Sequence, residues 1–282
     1  MIIDTHVHAF PDALAERALA SLSERAGMLS PQVEGTIAAL EASMQEAQID
    51  SAWIANIATR PNHAARILEW CQAIRAPHIL PLGSLHPKSP HWEQELEAIA
   101  LVGVPGIKLH PLYQGFAADD PLLLPLYRHA AKLGLFILFH AGFDIAYPND
   151  DNASPLRLAR VRDRVAGLRI IAAHLGGWNA WKDVLDCLCG SDVYFDTSFM
   201  HDATVEQRER IFAGHDCRRI LFGSDSPWLN QLDCVNQVKA LPLSDEERRG
   251  ILGENAPALI NRANGSALDH SRALALNHPH RP

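Results

Sequence analysis

Eight short apolar runs alternate with longer helix-like stretches along most of the chain, and this restricts the fold more than any other feature. The runs fall at Ile2–Val7, Ala52–Ala58, Ile79–Leu85, Gly106–Leu109, Leu135–His140, Ile170–His174, Val193–Asp196 and Ile220–Gly223. Between them, Thr36–Ala47, His63–Arg75, Trp92–Ala100, Leu122–Leu133, Val205–Ala213 and Ser244–Ala256 carry helical spacing and good helix formers. Gly134, Gly167 and Gly190 stand where helices should stop, and Ser244-Asp245-Glu246-Glu247 offers a capping hydroxyl with an acidic first turn. Strands alternating with helical crossovers make a parallel sheet. Because the pattern does not switch midway, the economical solution is an α/β fold closed as a (β/α)8 TIM barrel. A doubly wound open sheet is the alternative, but no Gly-x-Gly-x-x-Gly follows the first run, which removes its main support.

Phe10 to about Pro31, with a helical stretch at Ala13–Arg25, lengthens the first strand-to-helix connection. An insertion there distorts the barrel and is expected to sit over its active mouth. Residues 1–264 therefore read as one domain. Residues 265–282 read as a loosely ordered tail whose His270, His278 and His280 have no structural frame.

The 282 residues are 48% hydrophobic and 21% charged, enough to bury a sizeable core. A formal charge of −8 without a Lys/Arg cluster argues against nucleic acid or an anionic membrane as partner. No run reaches the roughly 18 apolar residues of a membrane span, and MIIDTHVH lacks the form of a secretion signal. Five scattered cysteines, Cys71, Cys187, Cys189, Cys217 and Cys234, read as free thiols in a cytoplasmic protein. A small-molecule substrate and a symmetric homodimer are the expectations that remain.

The chemistry-bearing residues sit where the runs end. His6 and His8 close the first run and, one residue apart on a strand, share a face; Lys108 and His110 do the same at the fourth. His140 ends the fifth run, His174 the sixth and Asp225 follows the eighth. In a parallel barrel these ends share one rim, so the side chains converge. Neutral imidazoles joined by a carboxylate suit zinc or a similar divalent ion. Single members of such a set have ordinary explanations. A histidine at a strand end is usually a hydrogen-bonded structural residue, which is the expectation for His78, His86 and His110. An isolated Asp-Ser-Pro is usually a turn.

The segments IDTHVH, GIKLHP, FHAG, AAHLGG and FGSDSPW resemble those of the amidohydrolase superfamily. Over about residues 1–260 the chain is similar to its branch of short TIM-barrel metal-dependent hydrolases, which also holds aromatic-acid decarboxylases. The resemblance implies that His6, His8, His140 and Asp225 are metal ligands. Asp225 would also shuttle a proton, and His174 would stand just beyond the metal and act on the substrate. Lys108 would either be carboxylated and bridge two ions or turn towards a substrate anion. One ion is favoured because His110 shares its face and crowds a second. Zinc is the first expectation for the metal, with manganese, iron or cobalt as alternatives.

Tyr113, Phe116, Tyr147, Trp178 and Trp228 are placed to shape a substrate pocket or to anchor loops, and Arg60 is the cation placed for a substrate carboxylate. Hydrolysis of a small carboxylic ester, lactone or amide by metal-activated water is the first expectation for function. Non-oxidative decarboxylation of an aromatic or unsaturated acid is the second, and a metal-free binding protein on the same barrel the third.

Overall fold

In the computed structural model, which describes residues 1–27 and 29–260, eight strands form an all-parallel barrel wall. They are β1 (Ile3–Val7), β2 (Ser51–Ala55), β3 (Ile79–Leu82), β4 (Gly106–Leu109), β5 (Phe136–Phe139), β6 (Arg169–Ala172), β7 (Tyr194–Asp196) and β8 (Ile220–Leu221). Ladders join β1-β2-β3 and β4-β5-β6-β7-β8 in order. Isolated parallel bridges, Gly83 to Ile107 and Val7 to Ser226, link the two groups on either side. Backbone bonds from Lys108 N to Gly83 O (2.9 Å) and Thr5 N to Phe222 O (2.8 Å) reinforce these joins. The tail histidines lie outside the described residues.

Helices α1 (Asp12–Arg25), α2 (Ile37–Ala47), α3 (Ala64–Ile74), α4 (Trp92–Leu101), α5 (Pro111–Gln114), α6 (Leu124–Lys132), α7 (Pro155–Arg164), α8 (Trp181–Cys187), α9 (Val205–Gly214), α10 (Gln231–Lys239) and α11 (Asp245–Arg249) fill the connections. Of these, α5 and α10 are absent from the sequence expectations, and α7 and α8 are marked there only by the stops at Gly167 and Gly190. The helix expected over Ser244–Ala256 starts as foreseen, with Ser244 and Glu247 forming a reciprocal cap, but passes through a π-helical turn at Gly250–Glu254.

Side-chain alternation decides what enters the barrel. In β5, Phe136 and Leu138 point inward with Ile3, Trp53, Leu82, Ile171 and Leu221, while Ile137 and Phe139 join the layer under the helices. Phe136 stacks on Trp53 at 5.5 Å, and Gly106 makes this fit, since a Cβ there would lie 2.5 Å from the Phe136 ring. Carrying the alternation forward puts Lys108 and His140 inside, above that apolar plug.

In β1 the register slips between Asp4 and Val7, a bulge that changes the parity of the strand. Ile3 faces the plug, Val7 faces the helices, and His6 and His8 turn inward. Gly223 opposite leaves room, because a Cβ there would stand 3.0 Å from the His6 Cβ.

Candidate metal centre

Above the plug, His6, His8, Lys108, His110, His140, His174 and Asp225 all line one cavity of about 400 Å3. The rim predicted from strand ends therefore exists, and every site residue expected to bear chemistry reaches it.

His6 shows how the set is tuned. Its Nδ1 donates to Asp196 Oδ2 at 2.9 Å, so the neutral ring keeps its lone pair on Nε2, facing the cavity. Lys108 Nζ donates to that nitrogen at 3.0 Å. Asp225 Oδ1 lies 3.3 Å from His6 Nε2 and 3.0 Å from a His8 nitrogen, Nε2, yet is buried without a hydrogen-bond partner. Ligand atoms of His6, His8 and Asp225 lie within 4.8 Å of one another, spacing that suits a single divalent ion. Their chemistry fits one too, because lone pairs converge on an oxygen left without a donor.

His140 offers a further nitrogen. Its Nε2 donates to the Phe143 carbonyl at 2.8 Å, which leaves the Nδ1 lone pair facing His174 Nε2 at 2.9 Å. His174 is held from behind, its Nδ1 2.9 Å from Ser198 Oγ and its backbone N–H on Asp196 Oδ1 at 3.0 Å. His174 and Asp225 both adopt left-handed backbone, with φ of 61° and 60°. That conformation costs a non-glycine residue about 1 kcal/mol and is retained where structure or function demands it.

Electrostatics follow from burial. Desolvation alone would raise the Asp225 carboxyl pKa, but the imidazoles of His6, His8 and His174 outweigh it and hold the group below the usual carboxylate range. Burial pushes the Lys108 amine down to about 8, against the opposing pull of Asp225, Asp196 and Asp144. Burial likewise lowers His8, and lowers His140 and His174 well below the ordinary histidine value.

Three groups in or directly behind the cavity wall are not among the sequence expectations. Asp196 ends β7 and orients His6; its place at a strand end was the available signal. Asp144 lies on the loop after β5, its carboxylate 3.6 Å from His110 Nε2. His110 exceeds its expected structural role: its Nδ1 accepts from Tyr113 N, capping α5, while its ring stacks on His140 at 4.1 Å inside the cavity.

Arg66 is the third, and it corrects the expectation for Arg60. Strand β2 ends at Ala55, so Arg60 falls on an exposed turn away from the cavity. The phase of α3 instead turns His63, Arg66, Ile67 and Trp70 towards it. Tyr113, Trp178 and Trp228 line the cavity as expected, whereas Phe116 packs in the core. His78 pairs with Glu41 and His86 Nδ1 accepts from Lys88 N, both structural as expected.

This architecture, a parallel barrel with a histidine-rich rim, defines the class. The amidohydrolase family model (amidohydrolase-2) matches residues 3–262, and the chain belongs to that family. No curated protein sequence matches it at a significant level.

Among solved structures, an uncharacterised TIM-barrel protein from Bordetella bronchiseptica, Bb4693, aligns with a TM-score of 0.73 at 19% identity, covering 93% of this chain and 99% of that one. A 5-carboxyvanillate decarboxylase from Novosphingobium aromaticivorans, complexed with manganese and 4-hydroxy-3-methoxy-5-nitrobenzoic acid, gives 0.66 at 15% identity over 93% and 96%. A Pseudomonas putida protein provisionally assigned as a 2-pyrone-4,6-dicarboxylic acid hydrolase gives 0.64 at 17% over 93% and 97%. These likenesses establish the TIM-barrel fold. Among the described residues no helix is long and apolar enough to cross a membrane.

Proposed function

We propose that this protein is a metal-dependent hydrolase of a small carboxylic ester, lactone or amide. The observation that carries the reading is Asp225: a buried carboxylate that stays ionised on the cavity wall, its Oδ1 3.0 Å from His8 Nε2 and 3.3 Å from His6 Nε2 and without a full hydrogen-bond shell. Such a group receives a proton from an attacking water. A divalent ion, zinc or manganese, would be held by His6 Nε2, His8 and Asp225, with His140 Nδ1 as the fourth donor. When bound it supplies Lewis-acid activation of water near neutral pH.

The protein's own groups divide the remaining work. Asp196 fixes the His6 tautomer. His174, steadied by Ser198 and Asp196, directs a nitrogen at the carbonyl end of the substrate. Lys108 supplies a positive donor at the same floor, and we read it as binding substrate anion or developing oxyanion. Asp225 then returns its proton to the leaving group, so water adds across the cleaved bond.

Decarboxylation is the second reading. It is favoured by the aromatic-acid decarboxylase among the similar structures and by the Lys108 and His110 donors, which suit a carboxylate. A panel of esters, lactones, amides and hydroxybenzoates, assayed with metal-loaded protein, separates the two. Hydrolysis releases one new acid group per turnover with no gas, whereas carbon dioxide from a hydroxybenzoate would overturn it.

A further inference from the structure

The cavity has two unlike halves, and they come from different parts of the chain. The floor is made of strand ends and is polar. The roof comes from the insertion after β1 and from one face of α3. Phe10, Leu14, Leu22, Ala26 and Leu29 of the insertion line it, together with Ile67 and Trp70 of α3. On α1, Ala15 and Leu19 are buried and anchor the helix. Leu14 and Leu22 face the cavity instead, and Leu14 remains 43% exposed. A barrel needs neither this helix nor its second apolar stripe to close. Apolar side chains that line a cavity with surface still open gain burial when an apolar ligand enters.

We infer that the substrate carries an extended, uncharged apolar body, an alkyl or aryl-alkyl acyl group, seated under this roof with its carbonyl at the histidine floor. The inference rests on the hydrolase reading for the reaction but concerns recognition alone. Among the described residues that line the roof there is no carboxylate to pair with a cationic tail. Arg66, the one guanidinium among the described lining residues, is exposed at the edge.

Binding is testable without turnover, since Trp70 and Trp228 line the cavity and report occupancy by fluorescence. Unbranched carboxylates from butanoate to decanoate should bind about threefold more tightly per added methylene. Leu22→Asn and Leu29→Asn should lose most of that gain while keeping wild-type affinity for butanoate and wild-type metal content. A flat series would overturn the inference. So would a series unchanged in both variants, or decanedioate binding more tightly than decanoate through Arg66. An intact chain-length gradient in a protein that hydrolyses no ester, lactone or amide would leave this inference standing and overturn the hydrolase reading.

Discussion

Asp4 and Asp225 are buried carboxylates on neighbouring parts of the barrel, one in β1 and one just past β8, and the protein treats them in opposite ways. Asp4 accepts from the N–H groups of His6 (3.2 Å) and Ser224 (3.0 Å), from Ser224 Oγ (2.5 Å) and from Gln231 Nε2 (2.8 Å). Burial still pushes its pKa up to about 6, but the group is satisfied and fastens β1 to β8 and α10. Asp225 has fewer donors, its buried Oδ1 lying beside the imidazoles of His6 and His8 without a full hydrogen-bond shell. Burial is common to both acids; completeness of the hydrogen-bond shell separates them, and the acid with the incomplete shell is the one we propose as functional. The bulge in β1 produces both outcomes, since it sends Asp4 towards α10 and His6 into the barrel.

Removing each acid should separate the two roles. Asp225→Asn should lower activity roughly a thousandfold or more, because the proton acceptor is lost. Its denaturant midpoint should fall by less than that of Asp4→Ala, since folding favours the Asp225 charge but few buried donors depend on it. Asp4→Ala should do the reverse, leaving buried donors without an acceptor and costing about 3–5 kcal/mol of stability. The metal bound per folded chain should not change. Kinetics and unfolding curves on the two variants would break the comparison if Asp4→Ala folded stably without metal.

A finer test concerns Asp196, which acts through His6. Asp196→Asn should weaken metal binding about 10–100-fold, measured by chelator competition, as expected for a carboxylate that sets a ligand's tautomer. Unchanged affinity would make Asp196 a structural acid like Asp4.

A further effect, seen only at low pH, lies away from the rim. Burial lowers His215 to about 4, and its ring stacks on Phe195 at 4.1 Å. The folded state resists protonation, so its stability contribution is complete above about pH 6.5 and declines as pH falls towards 4, by up to about 3 kcal/mol. His215→Phe should flatten that part of the stability profile without altering metal content, and an unchanged slope would assign the titration elsewhere.

Much of the barrel was legible because parallel strands with helical crossovers are written as near-continuous apolar runs. The rim followed from strand ends, and His6, His8, Lys108, His140, His174 and Asp225 meet in one cavity for that reason. What stayed hidden depends on geometry that spacing does not carry. Asp144 sits on an irregular loop. Arg66 replaces Arg60 because β2 stops early and α3 sets its own phase. The β1 bulge leaves no mark in the sequence, where a strict two-residue period places Asp4 on the same face as His6. The helices α7 and α10 begin in loops whose caps, Ser154-Pro155 and Asn230, are short signals among many similar ones.

The central claim is that His6, His8 and Asp225 hold one divalent ion. Elemental analysis after loading with zinc or manganese and desalting tests it most directly. The wild type and Lys108→Met should each retain about one equivalent per chain, while Asp225→Ala and the His6→Ala/His8→Ala double variant should retain almost none. Full metal retention in the double variant would contradict the account. A fall from about two equivalents to one in Lys108→Met would replace it with a bridged pair of ions.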